Sequence, residues 1–176
     1  MTTDLVFTFV GADKPGLVEK LAHTVSQHGG NWLESGMNAL AGQFAGIVQV
    51  AVAPAQLEAL RQALTALSKD GLTVVVVAAD PKAAPVALSR QLRLSILGND
   101  RPGIVREVAA ALAAQRINVS KMKTSISSAP MSGVPLFEAL AQIQVPRSLG
   151  QAELNAKLDA IANALTVDID LEESLR

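Results

Sequence analysis

At 176 residues, with 49% hydrophobic but only 3% aromatic content, the chain can bury about 70% of its unfolded surface in one body or fold as two small domains with aliphatic cores. Fifteen basic against sixteen acidic residues leave a net charge of −1, which excludes a broad positive field for nucleic acid. The absence of cysteine removes disulfides, thiolate nucleophiles and thiolate metal sites, and the N-terminal residues lack the basic region and long apolar run of an export signal, so a cytoplasmic setting with no membrane partner is expected.

Residues 4–10 are rich in β-branched and aromatic types and stop at Gly11, the pattern of a strand. After Pro15 a helix is expected, with Leu17, Val18, Leu21 and Val25 on its apolar stripe and Gly29-Gly30 at its end. Residues 31–41 and 44–53 read as two strands about an Ala41-Gly42 turn. Leu57, Leu60, Leu64 and Leu67 recur at helical spacing after Pro54, and residues 72–79, with Val74 to Val77 in a row, read as a well-buried closing strand. The order βαββαβ is that of a ferredoxin-like unit. Its antiparallel sheet, with strand order 4-1-3-2 and helices on one face, leaves the second strand at an edge that needs covering or pairing.

The segment from Phe9 to Glu34 is written again 87 residues later, from Ile96 to Lys121. Gly11, Asp13, Pro15, Gly16, Val18, Ala22 and Asn31 fall on Gly98, Asp100, Pro102, Gly103, Val105, Ala109 and Asn118. Such a repeat is one folding unit used twice. The expected organisation is a first α+β unit over residues 1–79, a proline-containing linker over 80–88 and a second unit over 89–176. In the second unit Leu92, Leu94 and Ile96 alternate as a strand; Ile104, Val105, Val108 and Leu112 repeat the first helix; Leu154, Leu158, Ile161 and Leu165 repeat the second; and residues 166–171 repeat the last strand. Five extra residues fall within Ser127–Pro135, which reads as a long hairpin loop, either a solvent-facing excursion or a lid or partner contact.

Gly11-Ala-Asp-Lys-Pro-Gly16 and Gly98-Asn-Asp-Arg-Pro-Gly103 lie where the first strand hands over to the first helix. Asp as N-cap, Pro in the first turn and Gly at the bend suffice to start a helix. The same atoms suit a zwitterionic amino acid: unpaired helix amides for its carboxylate, an Asp for its ammonium. Phosphate is a poorer match, because the Asp repels it and converging cations are few. Asn31 and Asn118 open the edge strands, where an Asn is either a turn residue or part of a seam between units or chains.

Strand, Gly-x-Asp-x-Pro-Gly, helix, then Asn opening an edge strand resembles the ACT domain, and both halves carry it. Two such units with no attached catalytic domain are similar to the glycine cleavage system transcriptional repressor family. The resemblance implies sensing of a small ligand, an amino acid such as glycine or serine, at interfaces between ACT domains. It also implies action through a partner regulatory protein, in transcriptional control, without direct nucleic-acid contact. Ligand contacts are then implied at Gly11, Asp13, Pro15, Gly16 and Asn31, and at Gly98, Asp100, Pro102, Gly103 and Asn118. Two departures bear on this. Arg116 stands where the first helix ends at Gly29, at a left-handed cost of about 1–2 kcal/mol. Trp32 and Val119 follow the two Asn residues, and Trp32 either walls a pocket or plugs the seam.

Three other readings compete. His23 and His28 are the only histidines, both on the first helix, so neither a triad nor a metal site can be assembled; no catalytic residue, metal or cofactor is expected. The third strands, Phe44–Val50 and Leu136–Gln142, are apolar or acidic where an RNA-binding sheet needs aromatic and basic residues. A protein-interaction module without a ligand remains the alternative, as does pairing of two chains in a homodimer in place of two units within one chain.

Overall fold

Leu5, Phe7 and Phe9 alternate with outward residues along β1 (Thr3–Ala12), so one side of this strand is dry and the other wet. In the computed structural model, which describes residues 2–78, 89–130 and 132–173, β1 is followed by α1 (Leu17–Gln27), β2 (Asn31–Leu40), β3 (Gln43–Val52), α2 (Leu57–Ala66) and β4 (Leu72–Ala78). The second half repeats the series as β5 (Ser89–Asn99), α3 (Ile104–Ala114), β6 (Asn118–Ser128), β7 (Pro135–Pro146), α4 (Gln151–Leu165) and β8 (Val167–Glu173). Both sheets are antiparallel, in the orders β2-β3-β1-β4 and β6-β7-β5-β8, so the second strand of each unit is an edge, as its sequence predicts. The chain divides into two units, Met1–Ala83 and Ala84–Arg176. The expected linker at 80–88 lies outside the described residues.

Each unit has its own core. Leu17, Leu21 and Val25 of α1 and Leu60 and Leu64 of α2 pack on Phe7, Phe9, Val48 and Val50 in the first. In the second, Ile104, Val108, Leu112, Leu154, Leu158 and Ile161 pack on Leu94, Ile96, Ile143 and Val145. Val18 and Val105, expected on the apolar stripes, instead lie exposed in the first helical turn. Residue 17 or 104 already fills the sheet-facing position there, and the next residue is rotated about 100° away from it. β4 departs from expectation in the same manner. An unbroken valine run resembles a strand covered on both faces, yet only Val74 is buried while Val75 and Val77 are 55% and 57% exposed, because the helices cover one face of the sheet.

The Trp32 ring meets Phe7 edge-on, with centroids 6.2 Å apart, and packs partly buried against the core of its own unit. The long hairpin of the second unit is tighter than its composition indicates. Ser127 and Ser128 still pair with Leu136 and Pro135, and the Ala129 amide donates to Val134 O at 2.9 Å, so only the tip departs from the ladder.

The two helix ends after α1 and α3 are built alike from unlike residues. Gly29 and Arg116 both take positive φ, and the amides of Gly30 and Ile117 reach back to Val25 O and Leu112 O. Gly71 and Thr166, each just before the last strand of its unit, form a second such pair. The second unit thus holds two side chains in the left-handed region where the first holds glycine. Arg116→Gly and Thr166→Gly are each expected to stabilise the second unit by about 0.5–1 kcal/mol, the relief of about 1–2 kcal/mol of strain less the entropy of a freer unfolded chain. Denaturant midpoints check this, and an unchanged or lowered midpoint for both variants contradicts it.

Candidate functional site

The helix starts are set by glycine and not by aspartate. Gly16 and Gly103 are the N-caps, at φ 89° and 90°, and neither helix has a side-chain capping bond. The expectation of Asp as N-cap is therefore corrected: a glycine in the left-handed region turns the chain into the helix and carries the carboxylate past the capping position. Asp13 and Asp100 are exposed, and among the described residues no hydrogen bond or ion pair engages either carboxylate. Their amides serve another purpose. Asp13 N–H donates to Gly42 O at 2.9 Å and Asp100 N–H to Pro135 O at 3.0 Å, which ties each turn to the adjoining hairpin.

The first intrahelical bonds run from Lys20 N–H to Gly16 O and from Glu107 N–H to Gly103 O. In the second turn the Ile104 amide also donates to Arg101 O at 3.3 Å, whereas among the described residues no such bond is recorded for Leu17; each helix start stands beside an anion, Pro15 or Pro102 and an exposed valine, Val18 or Val105. Those valines belong to the surroundings of the turn and were hidden in the sequence by their fit to the apolar stripe. Gly11 is buried and Gly98 half-buried inside the sheet, so both shape the turn from behind.

The asparagines do not join these turns within a unit. Asn31 pairs with Ala51 and Leu40 with Gln43 along the β2–β3 ladder, while Ala12, next to Asp13, also pairs with Gln43. Asn31 and the turn are thus at opposite ends of the sheet, separated by about 27 Å at about 3.4 Å per residue. In the second unit Asn118 pairs with Gln144 and Asn99 with Leu136, the same separation of ends. Asn118 Nδ2 donates to Gln144 Oε1 at 2.9 Å, whereas Asn31 has no side-chain partner among the described residues.

The two turns differ in charge. In the second, Arg101 donates to Glu107 at 2.6 Å, and the Glu107 carboxylate lies over the start of α3, with Oε1 3.7 Å from where a Cβ on Gly103 would stand. In the first, position 20 is lysine, and Lys20 pairs with Asp70 at 2.6 Å; the acidic residue of the first turn of α1 is Glu19, for which no arginine partner of the Arg101 kind is recorded among the described residues. The Glu107 carboxyl is held below the ordinary carboxylate range by the Arg101 hydrogen bond first, with the charges of Arg101 and Arg106 adding and slight burial opposing. Asp70 is lowered likewise, chiefly by the Lys20 hydrogen bond and charge, with a smaller pull from Lys14. A lowered carboxylate pKa stabilises the fold above the unfolded value, and that contribution disappears as pH falls through the lowered one. Arg101→Ala is expected to move the Glu107 midpoint up towards the ordinary carboxylate range, followed by its side-chain carboxyl resonance; an unmoved midpoint contradicts the pairing.

Among the described residues, no group of three or more His, Asp or Glu is placed to hold a metal, and no helix is long and apolar enough to cross a membrane.

Residues 3–77 match the family model of the ACT domain. The whole chain is similar to the crystal structure of an unknown protein from Galdieria sulphuraria, at 28% identity over 99% of this chain and 100% of that one, with a TM-score of 0.84. It is also similar to the structure of a provisionally named glycine cleavage system transcriptional repressor, at 21% identity over 98% and 97% of the two chains, with a TM-score of 0.74; at that identity the likeness shows the fold. No curated protein matches the chain. The fold is α+β, two ferredoxin-like βαββαβ units in tandem, the first of which matches the ACT-domain model.

Proposed function

We propose that this chain is a regulator without catalysis of its own, which binds an amino acid such as glycine or serine at a junction between ACT-type units and passes the signal to a partner regulatory protein. The observation that carries this reading is the open turn at Asp13, where an unengaged carboxylate stands beside helix amides that no side chain caps. An ammonium and a carboxylate on one carbon match that pair of groups. The ACT match over residues 3–77 supports it, and the shared fold makes transcriptional control of glycine cleavage the leading setting. A balanced net charge argues against a broad nucleic-acid surface, and the reading places the protein's action in the cytoplasm, through protein contact.

The separation of Asn31 from its own turn supports a junction site. If two edge strands of the β2 kind join antiparallel, the Asn end of one sheet meets the turn end of the other. Of the two turns, the first is the better receptor, because Glu107 already places a carboxylate at the start of α3. Where Glu107 stays paired, the second unit fits the alternative role of an interaction module.

A thermal-shift screen with glycine, serine and other amino acids tests the proposal. Binding to the native state raises the midpoint by mass action, by about 2.7 kcal/mol of stability at a hundredfold excess over Kd. A panel that leaves the midpoint unmoved contradicts sensing and favours the module.

A further inference from the structure

The open faces of the two sheets differ in chemistry while sharing one register. In the first unit Val6 stands between Val77 and Gln49, with Glu34 beyond, and Thr8 stands between Val75 and Ile47, with Gly36 beyond. The same places in the second unit hold Arg93 between Glu172 and Gln142, with Lys121 beyond, and Ser95 between Asp170 and Leu140, with Lys123 beyond. One fold therefore stands with valine, glutamate and glycine where the other carries arginine and two lysines, so folding does not require these cations.

The three cations line one depression of about 450 Å³ on that face, floored by Leu140 and Gln142. That is the size of a small-molecule site. Arg93 is only loosely held, its nearest carboxylate being Glu172 at 3.7 Å, and among the described residues neither Lys121 nor Lys123 has an ion-pair partner. The cations form two poles. Arg93 is on β5 and the lysines on β6, either side of β7, so the poles are about 10 Å apart at the backbone, with Gln142 in line between Arg93 and Lys121 and exposed Leu140 in the next row, between Ser95 and Lys123. Asp170 and Glu172 border the arginine side along β8, which disfavours a long polyanion such as a nucleic-acid backbone.

We infer that the open face of the second unit is a binding site for a small α,ω-dicarboxylate, one carboxylate on Arg93, the other on Lys121 and Lys123, with its methylene spacer over Leu140. Guanidinium meets a carboxylate through two parallel N–H donors and the lysines serve as mobile point charges. The site belongs to the second unit and Asp13 to the first, and it does not depend on the amino-acid reading.

Titration of the isotope-labelled intact chain with glutarate tests this. The expected result is saturable movement of the Ser95, Lys123 and Gln142 amide signals. Arg93→Gln and the double variant Lys121→Gln/Lys123→Gln should each weaken binding about tenfold or more, as loss of a charged hydrogen bond does, with unchanged far-UV circular dichroism because these side chains are exposed. Asp13→Ala leaves glutarate binding as it was. Four outcomes overturn the inference: no saturable shift, equal binding of the uncharged diamide of glutarate, binding of inorganic phosphate as tight as that of glutarate, or full affinity in the glutamine variants.

Discussion

Phe7→Ala is expected to destabilise the first unit by about 3–5 kcal/mol while leaving the unfolding of the second close to that of the unaltered chain. Phe7 has no exposed surface, packs among the first unit's aliphatic side chains and supports the Trp32 ring edge-on. Truncation removes that burial and leaves a cavity that a β-sheet wall closes poorly. The buried clusters of the two units share no residue, so the loss has no direct path into the second core. Trp32 is the only tryptophan, which makes its fluorescence a report on the first unit alone, while far-UV circular dichroism reports on both. In denaturant the fluorescence transition moves down and a second dichroism step stays in place. A common shift of both signals would mean that the two units unfold as one.

Asp13→Ala is expected to weaken amino-acid binding by about 1.5–3 kcal/mol, the value of a charged hydrogen bond, which is roughly 10- to 100-fold in Kd. The sequence alone predicts a further loss of about 1 kcal/mol of stability from a missing N-cap. The structure removes that part, because Gly16 caps α1 and the Asp13 carboxylate makes no hydrogen bond or ion pair among the described residues. Binding and stability therefore separate cleanly in this variant. Asp100→Ala should have a smaller effect on affinity, since the Arg101–Glu107 pair already occupies the second turn. Equal small effects on binding and on stability in Asp13→Ala would reduce the aspartate to a local folding device.

The repeat made the fold legible. Leu60 and Leu64, Leu154 and Leu158, and the alternation of Leu92, Leu94 and Ile96 each have one periodicity, and tertiary packing agreed with it. The exposure of Val75 and Val77 is not legible, because hydrophobicity alone does not say whether a sheet has one covered face or two. Nor is the exposure of Val18, because an apolar residue beside a stripe looks like part of it.

At the candidate site, residue types were readable but roles were not. Asp in Gly-x-Asp-x-Pro-Gly is chemically a good cap, and only the positive φ of Gly16 and Gly103 moves the helix start past it. The difference between the two turns was present in the sequence as Lys20 against Glu107. It gains meaning once the turn brings Arg101 within 2.6 Å of Glu107. The cations Arg93, Lys121 and Lys123 are scattered in sequence and become neighbours only through the β5–β7–β6 register.

Calorimetric titration of the intact chain with glycine and with serine addresses the central claim most directly. The account predicts saturable heat for at least one of them, strongly reduced in Asp13→Ala and largely kept in Asp100→Ala. Absence of heat from both, or identical isotherms for the unaltered chain and Asp13→Ala, would contradict it.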